Sequence, residues 1–292
     1  MSSAAAGAGR FAPSPSADLH IGNLRTAVLA WLFARSSGRR FLVRVEDLDD
    51  RTHDAIGVRQ LADLAAIGIT WDDEPTWQSQ HTQRYAAVID SLVDRGLVFE
   101  CFCSRREILE APRAPHAPEG AYPGTCRGLT DSERAERRVD GRPPALRLRS
   151  DASEYTVTDL LHGEYTGVVD DFVLRRGDGV PAYNLAVVVD DAASGVDQVV
   201  RGDDLLASAP RQAYLASLLG HRPPVYAHVP LALNAEGKRL AKRDGAVTLA
   251  ELGVPTAFRL ITESLGWPSS DLEELLTRFD PATLPRTPWV YP

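Results

Sequence analysis

Cysteine is scarce in this 292-residue chain: the three present are odd in number and too few for a disulfide framework. No stretch reaches the length of an apolar membrane span, and the Ala/Ser/Gly tail Met1–Gly9 has neither the basic start nor the apolar core of a signal peptide. A reducing, cytoplasmic setting without a membrane partner is therefore expected. Internal repeats, heptad arrays and extended low-complexity segments are missing too, leaving a globular chain with ample core at 44% hydrophobic residues. Nor is there a positive excess. The net charge of −8 argues against indiscriminate nucleic-acid binding while leaving room for a local basic groove.

What is present begins at Arg10–Ser16 (RFAPSPS), which runs into His20, Ile21, Gly22 and Asn23. Arg10, Phe11 and Ala12 can end a strand; the Pro13–Pro15 run forces a turn, because proline lacks an N–H and constrains its predecessor. Leu24, Val28, Trp31 and Leu32 then recur at helical spacing, with Gly38 as the stop. A strand, a tight turn and a helix N-terminus together present free backbone N–H groups to an anion, a geometry that suits a triphosphate. Far downstream, Lys238–Gly245 (KRLAKRDG) follows the strand-like run His228–Leu233 and offers the cationic loop such chemistry needs as charge develops.

Three further runs suit an amino-acid substrate with two carboxylates and one ammonium. Phe41–Glu46 (FLVRVE) reads as a strand whose terminal carboxylate, Glu46, meets the ammonium. Pro181–Asp191 (PAYNLAVVVDD) reads as a buried strand with Tyr183 near its start, Val187–Val189 inside it and Asp190 and Asp191 as strand-end carboxylates. Val199–Asp204 (VVRGDD) carries Arg201, and a guanidinium gives a carboxylate two parallel donors, so Arg10 or Arg201 would read a glutamate side chain. Cys101 and Cys103 share a face if their stretch is a strand, and Cys126 follows a Pro/Gly-rich loop. Three thiolates suggest zinc, and the residues alone nominate His116 as fourth ligand. No Ser-His-Asp or Cys-His set stands out, and the other histidines read as surface or packing residues. Arg134, Arg137, Arg138, Arg142, Arg147 and Arg149 read as a mixed-charge surface interleaved with Asp131, Glu133 and Glu136, or else as a groove for RNA phosphates.

Residues PSPSADLHIGNLRTA resemble the HIGH region of class I aminoacyl-tRNA synthetases, the glutamate-specific branch in particular, with Asn23 in place of the final His. KRLAKRDG resembles the KMSKS loop, with Arg239, Leu240, Ala241, Lys242 and Arg243 in the five motif positions. The resemblance implies a glutamate pocket of Arg10, Phe11, Ala12, Pro13, Ser14, Glu46, Tyr183 and Arg201. It likewise implies ATP contacts, with Mg²⁺ on the phosphates, from His20, Gly22, Asn23, Arg239, Lys242 and Arg243; His20, Asn23 and Lys242 carry the catalysis. CFCS followed by YPGTC resembles the zinc site of the short, glutamyl-queuosine members, whose pattern implies one structural Zn²⁺ on Cys101, Cys103, Tyr122 and Cys126.

That resemblance implies an α/β fold: a doubly wound, parallel Rossmann-type sheet with an inserted zinc-bearing subdomain and a short helical C-terminal extension. The expected layout is a first half-sheet over 1–100, the acceptor-type insertion over 101–167, the second half-sheet from 168 to 235, and the KMSKS-like loop with its extension over 236–292. Asp171–Leu174 and Val199–Val200 are the expected strands of the second half. The tail shows helix patterns at Phe258, Ile261, Leu265 and near Leu272–Phe279, with no room for an anticodon-binding domain. The implied activity is tRNA-independent activation of L-glutamate with ATP, then transfer to the queuosine of tRNA(Asp), by a monomer. Two rivals are a nucleotidylyltransferase on the same architecture and an inactive synthetase-like binding protein. Glutamate-dependent ATP–pyrophosphate exchange separates the three.

Overall fold

The computed structural model describes residues 7–111, 121–240 and 247–292. Strand β1 (Ala8–Phe11) is buried throughout and leads through the proline turn to helix α1 (Ile21–Ser36). The helix ends at its cap Ser37, and Gly38 follows with φ 68°, a conformation costly for residues with a Cβ. Leu24, Val28, Trp31 and Leu32 are buried as their spacing predicts, yet so are Ala27, Leu29, Ala30 and Phe33, so α1 is enclosed on every side. Gly9 lets the strand come close, since a Cβ there would stand 2.9 Å from Ala34 Cβ.

Strand and helix then alternate through β2 (Arg40–Val45), α2 (Asp54–Ala66), β3 (Thr76–Trp77) and α3 (Thr82–Asp94). Tyr85, Ile89 and Leu92 form the buried face of α3, whereas Val93 points to solvent. Next come β4 (Val98–Cys101), α4 (Arg105–Glu110), α5 (Asp131–Asp140), β5 (Ala145–Leu148), β6 (Glu154–Asp159), β7 (Gly163–Val168) and β8 (Val173–Arg175). Strands β4, β5 and β8 make a separate antiparallel sheet, so Asp171–Leu174 does not resume the main one. The β6–β7 hairpin joins the main sheet instead, through Tyr226 opposite Asp159, so the stretch 101–167 divides between two sheets. A short strand shows in its pattern which face is buried but not which neighbour it has, because pairing uses backbone groups every residue offers.

The largest departure is Pro181–Asp191, which is no strand but helix α6 (Tyr183–Ala193), entered after Pro181 and Ala182. Leu185 through Asp191 are all buried, and a helix without a solvent face shows an unbroken apolar run that periodicity cannot tell from a strand. Asp190 and Asp191 are therefore interior helix residues, not strand ends.

Strand β9 (Val196–Gly202), helix α7 (Ala209–Leu218) and strand β10 (Val225–Val229) complete the main sheet. Its order is β3-β2-β1-β9-β10-β6-β7, parallel except for the terminal hairpin. The order reverses between β1 and β9, and the crevice at the carboxyl ends of strands beside such a switch is where ligands bind. Beyond it, β11 (Ala232–Leu233) pairs with β12 (Trp289–Val290), while α8 (Leu249–Leu252), α9 (Val254–Ser264) and α10 (Leu272–Arg278) close over α1. Phe258, Ile261, Leu265, Leu272 and Leu275 share one core with α1, as the tail's apolar spacing predicts. No helix among the described residues is long and apolar enough to cross a membrane.

Candidate functional site

A cavity of about 860 Å³ opens at the switch point, between the ends of β1, β2 and β9 and the start of α1. Phe11, Ala12, Pro13, Ser14, His20, Gly22, Asn23, Glu46, Tyr183, Arg201 and Arg239 all line it. Ala241, Lys242, Arg243 and His116 lie outside the described residues. The flanks of that segment, Leu240 and Thr248, both border the cavity, and Val247 O accepts the Ile21 N–H at 3.0 Å. Arg239 is paired with Asp204 at 2.5 Å.

His20 caps α1, its Nδ1 accepting the N–H groups of Gly22 at 3.1 Å and Asn23 at 3.3 Å. Asn23 Oδ1 returns a bond from the His20 N–H at 3.2 Å, which closes a capping box. With Nδ1 so engaged, the neutral ring carries its proton on Nε2. Burial, then the charge of Arg239, lowers the His20 pKa to about 4, so the ring is a neutral donor at pH 7. Asn23 thus spends its carbonyl on the cap and retains its amide N–H groups.

Arg10 is the one expected pocket residue that does not reach the cavity. Its Nε lies 3.2 Å from Asp191 Oδ1, and Arg44 Nη1 lies 2.6 Å from the same oxygen. Arg44 also donates to Glu46 at 3.2 Å. Burial raises the Glu46 pKa, opposed by Arg44 and Arg10. Asp190 sits behind, bonded by Tyr85 OH at 2.5 Å, His81 at 3.0 Å, and Gln78 and Arg84 at 3.1 Å. Two strand arginines and two helix carboxylates thereby brace the floor beneath Glu46. With Asp191 on a helix, its carboxylate comes within reach of the Arg10 Nε and anchors that side of the guanidinium.

Arg201 is 6% exposed and has no carboxylate partner among the described residues. Its acceptors are neutral: His228 Nε2 at 3.0 Å, Gln212 Oε1 at 2.7 Å, Tyr183 OH at 3.4 Å and Leu205 O at 3.4 Å. A buried, uncompensated cation in a cavity edged by Glu46 provides for a ligand bearing both an anion and a cation.

Residues 8–285 match the family model for tRNA synthetases class I (E and Q), catalytic domain. The chain belongs to this family. A protein of Nocardia farcinica named glutamyl-Q tRNA(Asp) synthetase is 64% identical over 97% of this chain and 93% of its own. One of the same name from Cutibacterium acnes is 50% identical over 96% of this chain and 82% of its own. A crystal structure of a glutamate tRNA ligase from Elizabethkingia meningosepticum, in complex with its amino acid, shares the fold. It superposes with a TM-score of 0.80 at 23% identity, covering 98% of this chain and 67% of that one.

Away from the cavity, this synthetase-family chain gathers Cys101, Cys103 and Cys126 so that their sulfurs lie within 4.8 Å of one another. Burial, then the neighbouring thiols, pushes the Cys103 pKa up to about 12, so three thiolates need a cation among them. Tyr122 OH accepts the Cys126 N–H at 2.7 Å and is hydrogen-bonded to Cys101. Tetrahedral zinc holds sulfurs about 3.8 Å apart, and the Cys103–Cys126 separation of 3.6 Å is already close to that. The cluster could hold a metal ion.

The arginine group beside it is largely engaged within the protein. Arg138 pairs with Glu100, Arg134 with Asp131 and Arg142 with Glu107, while Arg147 is buried with its guanidinium 3.8 Å above the Tyr122 ring. Arg149 donates to Arg127 O at 3.2 Å.

Asp191, Gln212, His228 and Asp159 escaped the sequence reading. His228, counted among surface or packing histidines, is fully buried and hydrogen-bonded to Arg201 and Asp159. A His inside an apolar strand was the available signal, since a buried imidazole needs partners for both nitrogens.

Proposed function

We propose that this chain activates L-glutamate with ATP, without tRNA, and transfers the glutamyl group to the cyclopentenediol of queuosine at the wobble position of tRNA(Asp). The carrying observation is Arg201: a buried guanidinium whose partners among the described residues are all neutral, facing the same cavity as Glu46. The glutamate side-chain carboxylate compensates Arg201, and its ammonium meets Glu46. The α-carboxylate oxygen then bonds to the α-phosphorus of ATP as the bond to pyrophosphate breaks. His20, a neutral Nε2–H donor at a helix N-terminus, stabilises the phosphate oxygens together with Asn23, Gly22 and the cations Arg239, Lys242 and Arg243. Mg²⁺, when bound, neutralises the departing pyrophosphate. In the second step a queuosine hydroxyl attacks the mixed anhydride, AMP leaves and the hydroxyl proton passes to solvent or the phosphate.

The acceptor is supported by two relatives named glutamyl-Q tRNA(Asp) synthetase, the first at 64% identity. Zn²⁺ on Cys101, Cys103, Cys126 and Tyr122 is the metal reading, supported by the donor set and spacing. Its role is structural, tying the start of α4 to the loop at 122–126. A monomer in the cytoplasm fits a site and a cluster each built within one chain, with three free thiols.

Labelled glutamate and ATP, given with queuosine-bearing tRNA(Asp), queuosine-free tRNA(Asp) and tRNA(Glu) in parallel, test the reading. Label on the first alone is expected. Label on tRNA(Glu) overturns the acceptor assignment, and no label anywhere, without exchange, overturns the whole.

A further inference from the structure

The guanidinium of Arg201 is held from behind by a line of fully buried groups outside the cavity wall. In the sheet, His228 of β10 stands opposite Arg201 of β9, and the end of β6 brings Asp159 alongside. Arg201 Nε donates to His228 Nε2 at 3.0 Å, so that nitrogen carries no proton. The proton is therefore on Nδ1, which donates to Asp159 Oδ2 at 2.6 Å. Asp159 is itself fixed by the N–H groups of Leu161 at 2.8 Å and His162 at 2.9 Å, both on Oδ1.

Bond lengths then sort the donors of Arg201. The short bonds, to His228 at 3.0 Å and Gln212 at 2.7 Å, set the plane of the fork. The long ones, from Nη1 to Tyr183 and from Nη2 to Leu205 O, both 3.4 Å, leave one weakly used hydrogen on each terminal nitrogen. Those two hydrogens match the parallel pair a carboxylate accepts. A carboxylate in place of His228 or Gln212 would hold the fork as firmly but cancel its charge.

We propose that Asp159 and His228 are positioning residues for substrate selection: Asp159 fixes the imidazole as a neutral acceptor, and His228 orients Arg201 while leaving its full charge for a substrate carboxylate rather than a carboxamide. This rests on reading the cavity as a glutamate site. The substrate class selected is an amino acid with an anionic side chain, against its uncharged amide.

Two variants of the full chain test it, in ATP–pyrophosphate exchange with glutamate and with glutamine. In Asp159→Asn, the carbonyl oxygen stays with Leu161 and His162, while the amide gives up the bond that Oδ2 accepts from the His228 backbone N–H at 3.0 Å, donates to His228 Nδ1, and moves the imidazole proton to Nε2, against Arg201 Nε–H. The expected result is a glutamate KM raised about tenfold with kcat within about twofold, an unchanged ATP KM and a reduced preference for glutamate over glutamine. Gln212→Glu leaves the Asp159–His228 pair intact but partly cancels the charge of Arg201, and should move KM and preference the same way. Wild-type-like KM and preference in a variant that melts like wild type overturns the proposal, as does an equal loss toward ATP and glutamate. If Asp159→Asn fails to fold, Gln212→Glu decides by the same two outcomes. A wild type that shows no glutamate-dependent exchange overturns the glutamate reading and this proposal together, whereas exchange with unaltered variants overturns this proposal alone.

Discussion

Arg10 and Asp191, 181 residues apart in the chain, meet with Nε 3.2 Å from Oδ1 in the floor of the cavity. Arg44 on the neighbouring strand shares the same carboxylate. Asp191→Asn would leave two buried guanidiniums short of counter-charge, costing about 3 kcal/mol, read as a lower denaturation midpoint. Burial alone would raise the Asp191 pKa, but Arg10 and Arg44 bring it below its usual value. A carboxylate depressed in the folded state contributes stability that is complete above its ordinary pKa of about 3.9 and lost as pH falls through the folded value. The gap between wild type and Asp191→Asn should hold at neutral pH and close only in that acid range.

Glu46 has the opposite sign. Burial lifts its pKa despite Arg44 and Arg10, so its ionised form at neutral pH costs stability. The contribution is favourable below the ordinary value of about 4.3 and is lost as pH rises through the folded value. Glu46→Gln should therefore melt at or above wild type while its glutamate KM rises by about tenfold. An unchanged KM would remove Glu46 from ammonium binding.

His20 combines a cap with a donor, and two substitutions separate them. His20→Asn retains a side-chain acceptor for the first turn of α1; His20→Ala loses it, at a cost of about 1 kcal/mol. Both lose the Nε2–H, so both should slow glutamate-dependent exchange at saturating substrate, by about tenfold or more, while only His20→Ala melts lower. With a pKa lowered to about 4, the ring's contribution to stability is lost as pH falls from about 6.5 toward that value, and no step in kcat near pH 6.5 should trace to His20.

Zinc content measured after gel filtration distinguishes the fourth ligand. Cys126→Ser should lose the metal and Tyr122→Phe should retain it weakly against a chelator, whereas His116→Ala should match wild type. The reverse pattern for Tyr122 and His116 would transfer the ligand role to the histidine.

Short-range chemistry made much of this molecule readable. The proline turn, the cap at His20 and the apolar spacing of α1 act within a few residues, so strand, turn and helix could be placed, as could the approach of three cysteines. The strand that leads into Glu46 also followed from local pattern. What local pattern could not supply was adjacency. A helix buried on every side displays no polar face, so Leu185–Asp191 read as a strand, and with it went the partner of Arg10. Which strands lie beside β9 depends on backbone hydrogen bonds common to all sequences and on how whole faces pack. Only that packing brought Asp159, His228 and Arg201 into one line, turning two unremarkable strand residues into the support of a buried charge that faces the cavity.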